Sequence, residues 1–359
     1  MAPRIGVMAG GTGGHVFPAL AVAEALRASG AEVFWIGTRR GMESRLVPDH
    51  GFDLEWVEIA GLRGKGLGAV LSGPFKLLGA LRQAWTILRR RRPAVILGMG
   101  GFVSGPGGLA ARVLGIPLVI HEQNAIPGLT NQWLARIASR VFEAFPGSFP
   151  QARNAIATGN PVRPVIAALP PPRERFAGRT GPAHVLVVGG SLGAQVLNEI
   201  LPLALARLPE ASRPMVRHQA GERTLEAAQA AYRQAGVAAE VTAFINDMAQ
   251  AYAWADLVVC RAGALTVSEL AAAGLGAILV PYPHAVDDHQ VSNAHYLTEV
   301  GAALLIIQRD LDPAGLAMTL ETLLADRSRL LTMAEAARTR ATPAAVEQIA
   351  AACLEFARL

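Results

Sequence analysis

Residues 4–20, RIGVMAGGTGGHVFPAL, place a short apolar run before a cluster of glycines and then an alanine-rich helical pattern. A strand, a glycine turn and a helix in this order begin a βαβ unit. Residues 184–195, HVLVVGGSLGAQ, repeat the same order in the second half of the chain. The two stretches predict an α/β protein with two Rossmann-like, doubly wound domains, whose parallel sheets face each other across a cleft.

The chain has 359 residues, which is long for one hydrophobic core and favours two domains. A segment rich in proline and arginine, residues 159–182, predicts a linker between a first domain at 1–158 and a second at 183–342. The last helical pattern, 343–359, is expected to dock back on the first domain. Short apolar runs predict strands at residues 5–8, 32–36, 94–97, 117–121, 184–188, 215–218, 240–244, 257–260 and 277–281.

The composition indicates a folded protein, since 52% of the residues are hydrophobic and 17% are charged. Two cysteines, Cys260 and Cys353, provide neither a disulfide framework nor a metal cluster, so we predict no metal, no cofactor and a reducing compartment. Glycines interrupt the N-terminal apolar run before it could serve as a signal sequence. The most apolar window, 264–283, contains Glu269, glycine and proline, so we predict no transmembrane span.

The net charge of +5 is unevenly divided along the chain. Residues 1–158 hold 17 Lys and Arg against 9 Asp and Glu, a net charge of +8, whereas the remainder holds 16 against 19. A basic half suits a partner such as phosphate, nucleic acid or anionic lipid. Nucleic acid is the least favoured of these partners, because the sequence has no nucleic-acid-binding motif and no basic stretch interleaved with aromatic residues.

The two glycine clusters are suited to holding phosphate groups. Glycines after a strand let backbone N–H groups approach an anion, and the following helix N-terminus adds partial positive charge. Such turns also occur where they only pack a helix against a strand. Neither cluster fits the dinucleotide pattern GxGxxG, and no GxxxxGK[ST] motif is present. Next to the first cluster, His15 could bind a phosphate or accept a proton from an attacking hydroxyl, or could serve only in capping or packing.

The second half offers polar groups next to apolar elements. Glu269 lies on a predicted helix that begins just after a strand, where a buried carboxylate needs partners such as ribose hydroxyls. His289, Gln290 and Asn293 follow another predicted strand, at the edge of the sheet where α/β proteins bind ligands. Acidic residues interact favourably with a helix N-terminus, so the neighbouring Asp residues need no functional explanation. That interaction does not explain why His289, Gln290 and Asn293 occur together.

Taken together, several segments resemble the MurG family of bacterial N-acetylglucosaminyltransferases, which convert lipid I to lipid II in peptidoglycan synthesis. The resemblance spans nearly the whole chain and implies the GT-B architecture of inverting glycosyltransferases. Its motifs are GGTGGHVFPALAVAEAL, GGFVSGPGGLAA, HEQNAIPGLTN, TGNPVR, GGSLGAQVLN, RAGALTVSELAAAG and DDHQVSNA.

The resemblance implies a UDP-GlcNAc donor. The backbone of Ile245 would read uracil, Glu269 would bind the ribose hydroxyls, and Ser191 would hold the donor diphosphate with its glycine loop. His289 and Gln290 would contact the GlcNAc hydroxyls, although some family members have glutamine where this chain has His289. On the donor side, Asn124 would also face the transferred sugar and Arg163 would meet the phosphates. The remaining donor-binding residues that the resemblance implies are Thr12, Gly13 and Gly14.

The resemblance also implies a lipid I acceptor. Its 4-hydroxyl would displace UDP with inversion to a β-1,4 bond, without a metal ion. His15 would act as the general base, with Glu122 as a competing or assisting base or as a structural residue. The acceptor diphosphate would lie on the first glycine cluster, which comprises Gly10, Gly11, Thr12, Gly13 and Gly14.

A lipid-linked acceptor requires a surface that faces the membrane. Residues 71–93 predict a helix that begins at Gly73-Pro74 and ends at Pro93, with basic residues at its end. An ordinary amphipathic helix with a solvated arginine tail is the alternative. The predicted patch for anionic lipid at the cytoplasmic face of the plasma membrane consists of Leu71, Phe75, Leu78 and Trp85.

Three other functions compete with lipid I glycosylation. The chain could transfer sugar to a soluble acceptor, epimerise UDP-GlcNAc, or bind UDP-GlcNAc without turnover as a scaffold for cell-wall synthesis proteins. An exposed apolar patch at the predicted helix would disfavour the first two, and the presence of His15, Glu122, Glu269 and Gln290 disfavours the third.

Overall fold

The computed structural model describes residues 2–59, 67–190, 193–283 and 288–358, without the side chains of 67–73. The chain divides into two units, of which the first contains Met1–Arg163 and Thr342–Leu359 and the second contains Pro164–Ala341. The predicted linker, residues 159–182, is divided between the two units and carries two short helices, α6 (Pro164–Ala167) and α7 (Pro172–Phe176).

The described residues of the first unit form a parallel sheet of seven strands in the order β3-β2-β1-β4-β5-β6-β7. These strands are β1 (Arg4–Met8), β2 (Glu32–Gly37), β3 (Asp53–Trp56), β4 (Val95–Gly98), β5 (Leu118–Glu122), β6 (Arg140–Glu143) and β7 (Ile156–Ala157). The helices of this unit are α1 (Gly13–Ala28), α2 (Glu43–Asp49), α3 (Leu67–Arg91), α4 (Ser104–Val113), α5 (Leu129–Leu134) and the C-terminal α15 (Ala345–Arg358).

The first sheet is covered on both faces because its strands are apolar at consecutive positions. Val7 and Leu97 belong to one buried cluster with residues of α1 and α15, and Ile96 belongs to a second cluster with residues of α3 and α4. Helix α15 packs against α1, with Ile349 and Cys353 fully buried. Full burial of a side chain such as Ile349 contributes about 2 kcal/mol to folding.

The described part of the second unit forms a parallel sheet of six strands in the order β10-β9-β8-β11-β12-β13. These strands are β8 (His184–Val188), β9 (Met215–Gln219), β10 (Glu240–Thr242), β11 (Leu257–Cys260), β12 (Gly276–Leu279) and β13 (Ala303–Leu305). The helices of this unit, beyond α6 and α7, are α8 (Gln195–Arg207), α9 (Leu225–Gln234), α10 (Met248–Trp254), α11 (Ala264–Ala273), α12 (His289–Thr298), α13 (Pro313–Leu324) and α14 (Arg327–Thr339). Two doubly wound parallel sheets confirm the predicted fold class.

The predicted start of α3 is wrong. The helix begins at Leu67, six residues before Gly73, and Pro74 lies inside it. A proline within a helix removes one backbone hydrogen bond, and here the helix continues through that loss. In the part of the chain that the structure describes, no helix is both long and apolar enough to cross a membrane.

Candidate active site

In the first unit, the candidate site residues follow the carboxyl ends of β1, β4 and β5, which are neighbours in the sheet. Helix α1 leads from β1 towards β2 on one side, whereas β4 and β5 lie on the other side, so the strand order reverses at this point. Ligands of doubly wound sheets bind at such a reversal. The sequence motifs of this half therefore meet at the carboxyl ends of the central strands of one sheet.

The glycines of the first cluster differ in how strongly the structure requires them. A Cβ at Gly10 would lie 2.7 Å from Glu43 Oε1, and Gly11 has a φ of +96°, which disfavours other residues. A Cβ at Gly13 would lie 3.0 Å from the Phe17 ring. Gly14 has room for a side chain without close contact, since its nearest neighbour is Thr12 Oγ1 at 3.7 Å. Gly10 therefore accommodates a buried carboxylate, which the sequence reasoning did not foresee.

Helix α1 begins without a side-chain cap in the described structure. Thr12 precedes the helix in an extended conformation, and in the described structure its side chain makes no capping hydrogen bond. The first turn contains no acidic residue. Next to this turn, the Arg163 guanidinium lies 5.8 Å from the centre of the Phe17 ring. A helix start with a cation beside it suits an anionic ligand.

His15, in the first turn of α1, packs against the loop that follows β4. A Cβ at Gly100 would lie 2.9 Å from His15 Nε2 and 3.3 Å from Gln123 Oε1, and Gly100 has a φ of +93°. The half-buried imidazole is therefore held between two glycine loops. A Cβ at the next residue, Gly101, would overlap the carbonyl oxygen of Gly10. The glycines of GGFVSGPGG thus allow the two loops to touch.

Glu122 is buried at the end of β5 and accepts four hydrogen bonds from the following loop and from α5. Oε1 accepts from the Asn124 backbone N–H at 2.9 Å and from its side-chain amide at 3.1 Å. Oε2 accepts from the Gly128 N–H at 3.2 Å and the Asn131 amide at 2.9 Å. Because both oxygens are occupied, this arrangement favours a residue that shapes the Asn124 loop over one that takes up a proton.

Beside Glu122, His121 is fully buried and was not selected from the sequence. Its Nε2 lies 2.9 Å from the Gly159 carbonyl oxygen, and its Nδ1 lies 3.2 Å from the Gln123 amide nitrogen. Burial lowers the pKa of His121 to about 4, so the imidazole is neutral near pH 7. His121 therefore ties residue 159 to the end of β5 without bringing a charge to the site.

In the second unit, the glycine cluster follows β8, next to β11, at the corresponding reversal of strand order. Ser191 lies outside the described residues, so its predicted phosphate contact stays a prediction. At the end of the loop, Gly193 has a φ of +78°, and a Cβ there would overlap the Ala220 carbonyl oxygen. The buried Asn198 amide donates to the same oxygen at 3.1 Å, which anchors α8 to the loop after β9.

The backbone of Ile245, predicted to read uracil, is held by a side chain that the sequence did not reveal. Its N–H donates to Gln219 Oε1 at 3.1 Å. Gln219 is buried at the end of β9, and its own carbonyl oxygen accepts from the Gly189 N–H at 3.1 Å. Gln219 thus links the glycine cluster to the Ile245 loop.

Glu269 is buried in α11, as the apolar surroundings in the sequence suggested. Its Oε2 accepts a hydrogen bond from the Tyr252 hydroxyl at 3.0 Å. The protein itself thus supplies one donor to this carboxylate, and the predicted contact of Glu269 with ribose hydroxyls stays a prediction. A carboxylate offers about four lone-pair positions, of which the Tyr252 hydroxyl takes one.

His289 and Gln290 form the first turn of α12. Gln290 Oε1 accepts the Tyr282 backbone N–H at 2.9 Å, which connects the helix to the segment after β12. Asn293 is buried and donates to the Ala262 carbonyl oxygen at 3.2 Å, so the helix is also tied to the loop after β11. These contacts bring His289 and Gln290 to the same sheet edge as Glu269. Residues 284–287 lie outside the described structure.

The described residues of the predicted membrane patch differ in their exposure to solvent. The side chain of Leu71 lies outside the described structure. Phe75 and Leu78 are 78% and 65% exposed, whereas Trp85 is half-buried against the core. Exposed apolar residues absent from the prediction also lie on helices packed in series with α3: Leu109 and Val113 on α4, and Leu129 and Trp133 on α5.

Comparisons with known proteins agree with this arrangement. The N-terminal domain of glycosyltransferase family 28 matches residues 5–143, and the C-terminal domain of that family matches residues 184–349. Proteins named UDP-N-acetylglucosamine--N-acetylmuramyl-(pentapeptide) pyrophosphoryl-undecaprenol N-acetylglucosamine transferase are 60% identical in Marinobacter nauticus and 59% identical in Nitrosococcus oceani. Each alignment covers 99% of this chain and at least 98% of the relative. The chain belongs to the MurG branch of glycosyltransferase family 28.

Solved structures support the same family assignment. The crystal structure of Acinetobacter baumannii MurG is 43% identical and superposes with a TM-score of 0.85, over 98% of this chain and 99% of that one. A UDP-N-acetylglucosamine 2-epimerase also superposes with a TM-score of 0.65, but at 13% identity this likeness concerns the fold alone. The glycosyltransferase family 28 chain is thus an enzyme of GT-B architecture. Among its described residues, no group of three His, Cys, Asp or Glu residues is placed to hold a metal ion.

Proposed function

We propose that this glycosyltransferase moves GlcNAc from UDP-GlcNAc to the 4-hydroxyl of MurNAc in undecaprenyl-linked lipid I, which gives lipid II for peptidoglycan synthesis. The observation that carries the proposal is the near-full-length identity of 59–60% to transferases whose names specify this donor and acceptor. The epimerase alternative is not favoured, because its support is a likeness of fold at low identity.

The second unit binds the donor in this proposal. The loop that starts at Gly189 precedes the N-terminus of α8, whose backbone N–H groups would meet the diphosphate. Glu269, oriented by Tyr252, would accept hydrogen bonds from the ribose hydroxyls, and the Ile245 loop, held by Gln219, would face the uracil. Donors that are in place before the reaction stabilise the charge that develops on the departing UDP.

The first unit binds the acceptor and removes its proton. The start of α1 would hold the lipid diphosphate, with Arg163 as the adjacent cation. His15 would take the proton of the 4-hydroxyl while that oxygen attacks the anomeric carbon of GlcNAc. Attack from the face opposite the leaving UDP inverts the α-linked sugar to a β-1,4 bond. Glu122 would position Asn124 to face the transferred sugar, since the oxygens of Glu122 are already occupied.

The acceptor carries a polyprenyl chain, so the first unit would work at a membrane surface. Phe75 and Leu78 expose apolar area on α3, which ends in basic residues. Each basic residue close to anionic lipid contributes about 1 kcal/mol to binding. The protein would therefore associate peripherally with the cytoplasmic face of the bacterial plasma membrane.

The activity is tested by transfer of labelled GlcNAc from UDP-GlcNAc to a short-chain lipid I analogue, with EDTA present. We expect transfer by the wild type, and at least a 100-fold lower kcat for His15→Ala with UDP binding retained. His50→Ala is the matched control, because His50 is a solvent-accessible histidine of the same unit. A folded wild type that binds UDP-GlcNAc but transfers nothing would overturn the proposal.

Membrane association is tested by cosedimentation with anionic and neutral vesicles. The double variant Phe75→Ser, Leu78→Ser should bind anionic vesicles several-fold more weakly and keep its activity on the short-chain analogue. Leu203→Ser is the control, since Leu203 is an exposed leucine on the second unit. If the wild type and the double variant bound anionic vesicles equally well, α3 would not be part of the membrane-binding surface.

A further inference from the structure

We propose that Glu43 is a positioning residue for the acceptor reaction. Its buried carboxylate would set the conformation of Gly10 and Gly11 so that the start of α1 faces the lipid diphosphate. The inference rests on the proposed function of the first unit. Glu43 lies outside every motif that the sequence brought forward, and it is fully buried.

The Glu43 carboxylate connects the glycine cluster to the loop after β2. Oε2 accepts the Gly11 N–H at 2.9 Å. Oε1 accepts the Thr38 N–H at 2.9 Å and the Thr38 hydroxyl at 2.7 Å. The Gly11 carbonyl oxygen in turn accepts the Met42 N–H at 3.2 Å. Both backbone groups of Gly11 are thus bound to the segment around Glu43.

Three glycines make room for this side chain. A Cβ at Gly10 or at Gly37 would lie 2.7 Å from a Glu43 atom, and one at Gly41 would overlap its carboxylate. Gly10 follows β1, Gly37 ends β2 and Gly41 lies just before α2, so the space is specific to the Glu43 side chain. Glu43 is also the first residue of α2, so its side chain lies beside the partial positive charge of that helix start.

The consequence for the ligand follows from the direction of the Gly11 N–H. Because it points to Glu43, it cannot donate to a phosphate at the same time. The chain then turns at Gly11, with its φ of +96°. The His15 N–H donates to the Thr12 carbonyl oxygen, so the N–H groups of Gly13 and Gly14 are the donors that would face the anion. Glu43 would therefore decide which backbone donors the diphosphate meets, without touching the ligand itself.

The test uses full-length variants and separate KM values for the acceptor and the donor. Glu43→Gln keeps the size of the side chain but places an NH2 group opposite an N–H or O–H donor. We expect the KM for the short-chain lipid I analogue to rise about 10- to 100-fold, which corresponds to losing one or two charge-assisted hydrogen bonds. The KM for UDP-GlcNAc should stay within about twofold of wild type.

Two further variants separate positioning from folding. Thr38→Val removes one donor to the carboxylate and should raise the acceptor KM to an intermediate value, whereas Thr38→Ser keeps the hydroxyl and should restore it. Asp256→Asn is the matched control, because Asp256 is equally buried but precedes β11 at the amino end of the second sheet. It should lower the urea midpoint and leave both KM values unchanged.

Two outcomes would overturn the inference. One is a folded Glu43→Gln enzyme with a wild-type KM for the acceptor, and the other is an equal rise in both KM values. Wild-type enzyme without transfer to lipid I would instead refute the proposed function, and the wild-type assay reports this before any variant is compared. The two failures are therefore distinguishable.

Discussion

Replacing Gly101 by alanine should disturb the contact between the two glycine loops of the first unit. The new Cβ would overlap the Gly10 carbonyl oxygen, and the φ of +85° at Gly101 is itself unfavourable for alanine. The backbone conformation costs about 1–2 kcal/mol. Relieving the overlap costs a further ~1–3 kcal/mol, because the obstacle is backbone and not the end of a flexible side chain. The total loss in the free energy of unfolding should be about 2–5 kcal/mol.

Gly115→Ala is the matched control for this substitution. Gly115 lies in the same unit with a φ of +72°, but a Cβ there would meet nothing within 4 Å. This control therefore carries the backbone cost alone, about 1–2 kcal/mol. Urea unfolding followed by tryptophan fluorescence measures both variants, since four of the five tryptophans lie in the first unit.

The two variants should also differ in activity. Gly101→Ala pushes on Gly10 and so on the start of α1, and we expect a raised KM for the acceptor with a nearly unchanged KM for UDP-GlcNAc. Gly115→Ala should leave both constants at their wild-type values. If the two variants lose the same stability and Gly101→Ala keeps its acceptor KM, the contact between the loops has no role in shaping the site.

Three further predictions follow from buried polar groups. Burial lowers the pKa of both His121 and His218 to about 4, so each histidine protonates more readily in the unfolded chain. The free energy of unfolding should therefore fall as the pH is lowered from 6.5 to 4, by about 3 kcal/mol for each histidine at pH 4. Urea unfolding at a series of pH values measures this loss. Tyr252→Phe should weaken UDP binding several-fold in calorimetry, because it removes the hydroxyl that orients Glu269. The loss in the free energy of unfolding should be no more than about 1.5 kcal/mol, and an unchanged affinity for UDP would show that Glu269 is not part of the donor site. Asp256→Ala should cost at least ~3 kcal/mol in unfolding, because it leaves a partly buried arginine without its carboxylate, and a loss below 1 kcal/mol would contradict this account.

The central strands of both sheets could be predicted from the sequence, because strands buried on both faces are runs of apolar residues. The predicted and observed strands coincide at residues 184–188 and 257–260, and agree to within one residue at each end for β1. The edge strands of the first sheet, β3 and β7, were harder to predict from the sequence. Strand β3 has the sequence DLEW, which alternates polar and apolar residues over only four positions, and β7 has two residues. Such segments become strands through their neighbours in the sheet and not through their own pattern.

The candidate site shows the same limit. The order of strand and loop is visible in the sequence. Motifs next to predicted strands therefore located His15, Asn124, Glu269 and Gln290 near the carboxyl ends of strands. The partners of those residues were not visible. Glu43 meets Gly11 across 32 positions of the chain, so no local spacing or periodicity could have revealed the contact.

The return of the C-terminal helix to the first unit affects the order in which the chain can fold during synthesis. Pro164–Ala341 is an insertion within the first unit, so all of it leaves the ribosome before Thr342–Leu359. At roughly 5–20 residues per second, this interval lasts on the order of 10–40 s. Throughout that time the surface of α1 that later packs against Ile349 and Cys353 lacks its cover. The unit whose first residues are made first is therefore completed last, and a ribosome that stops early would release a complete second unit attached to an uncovered first core.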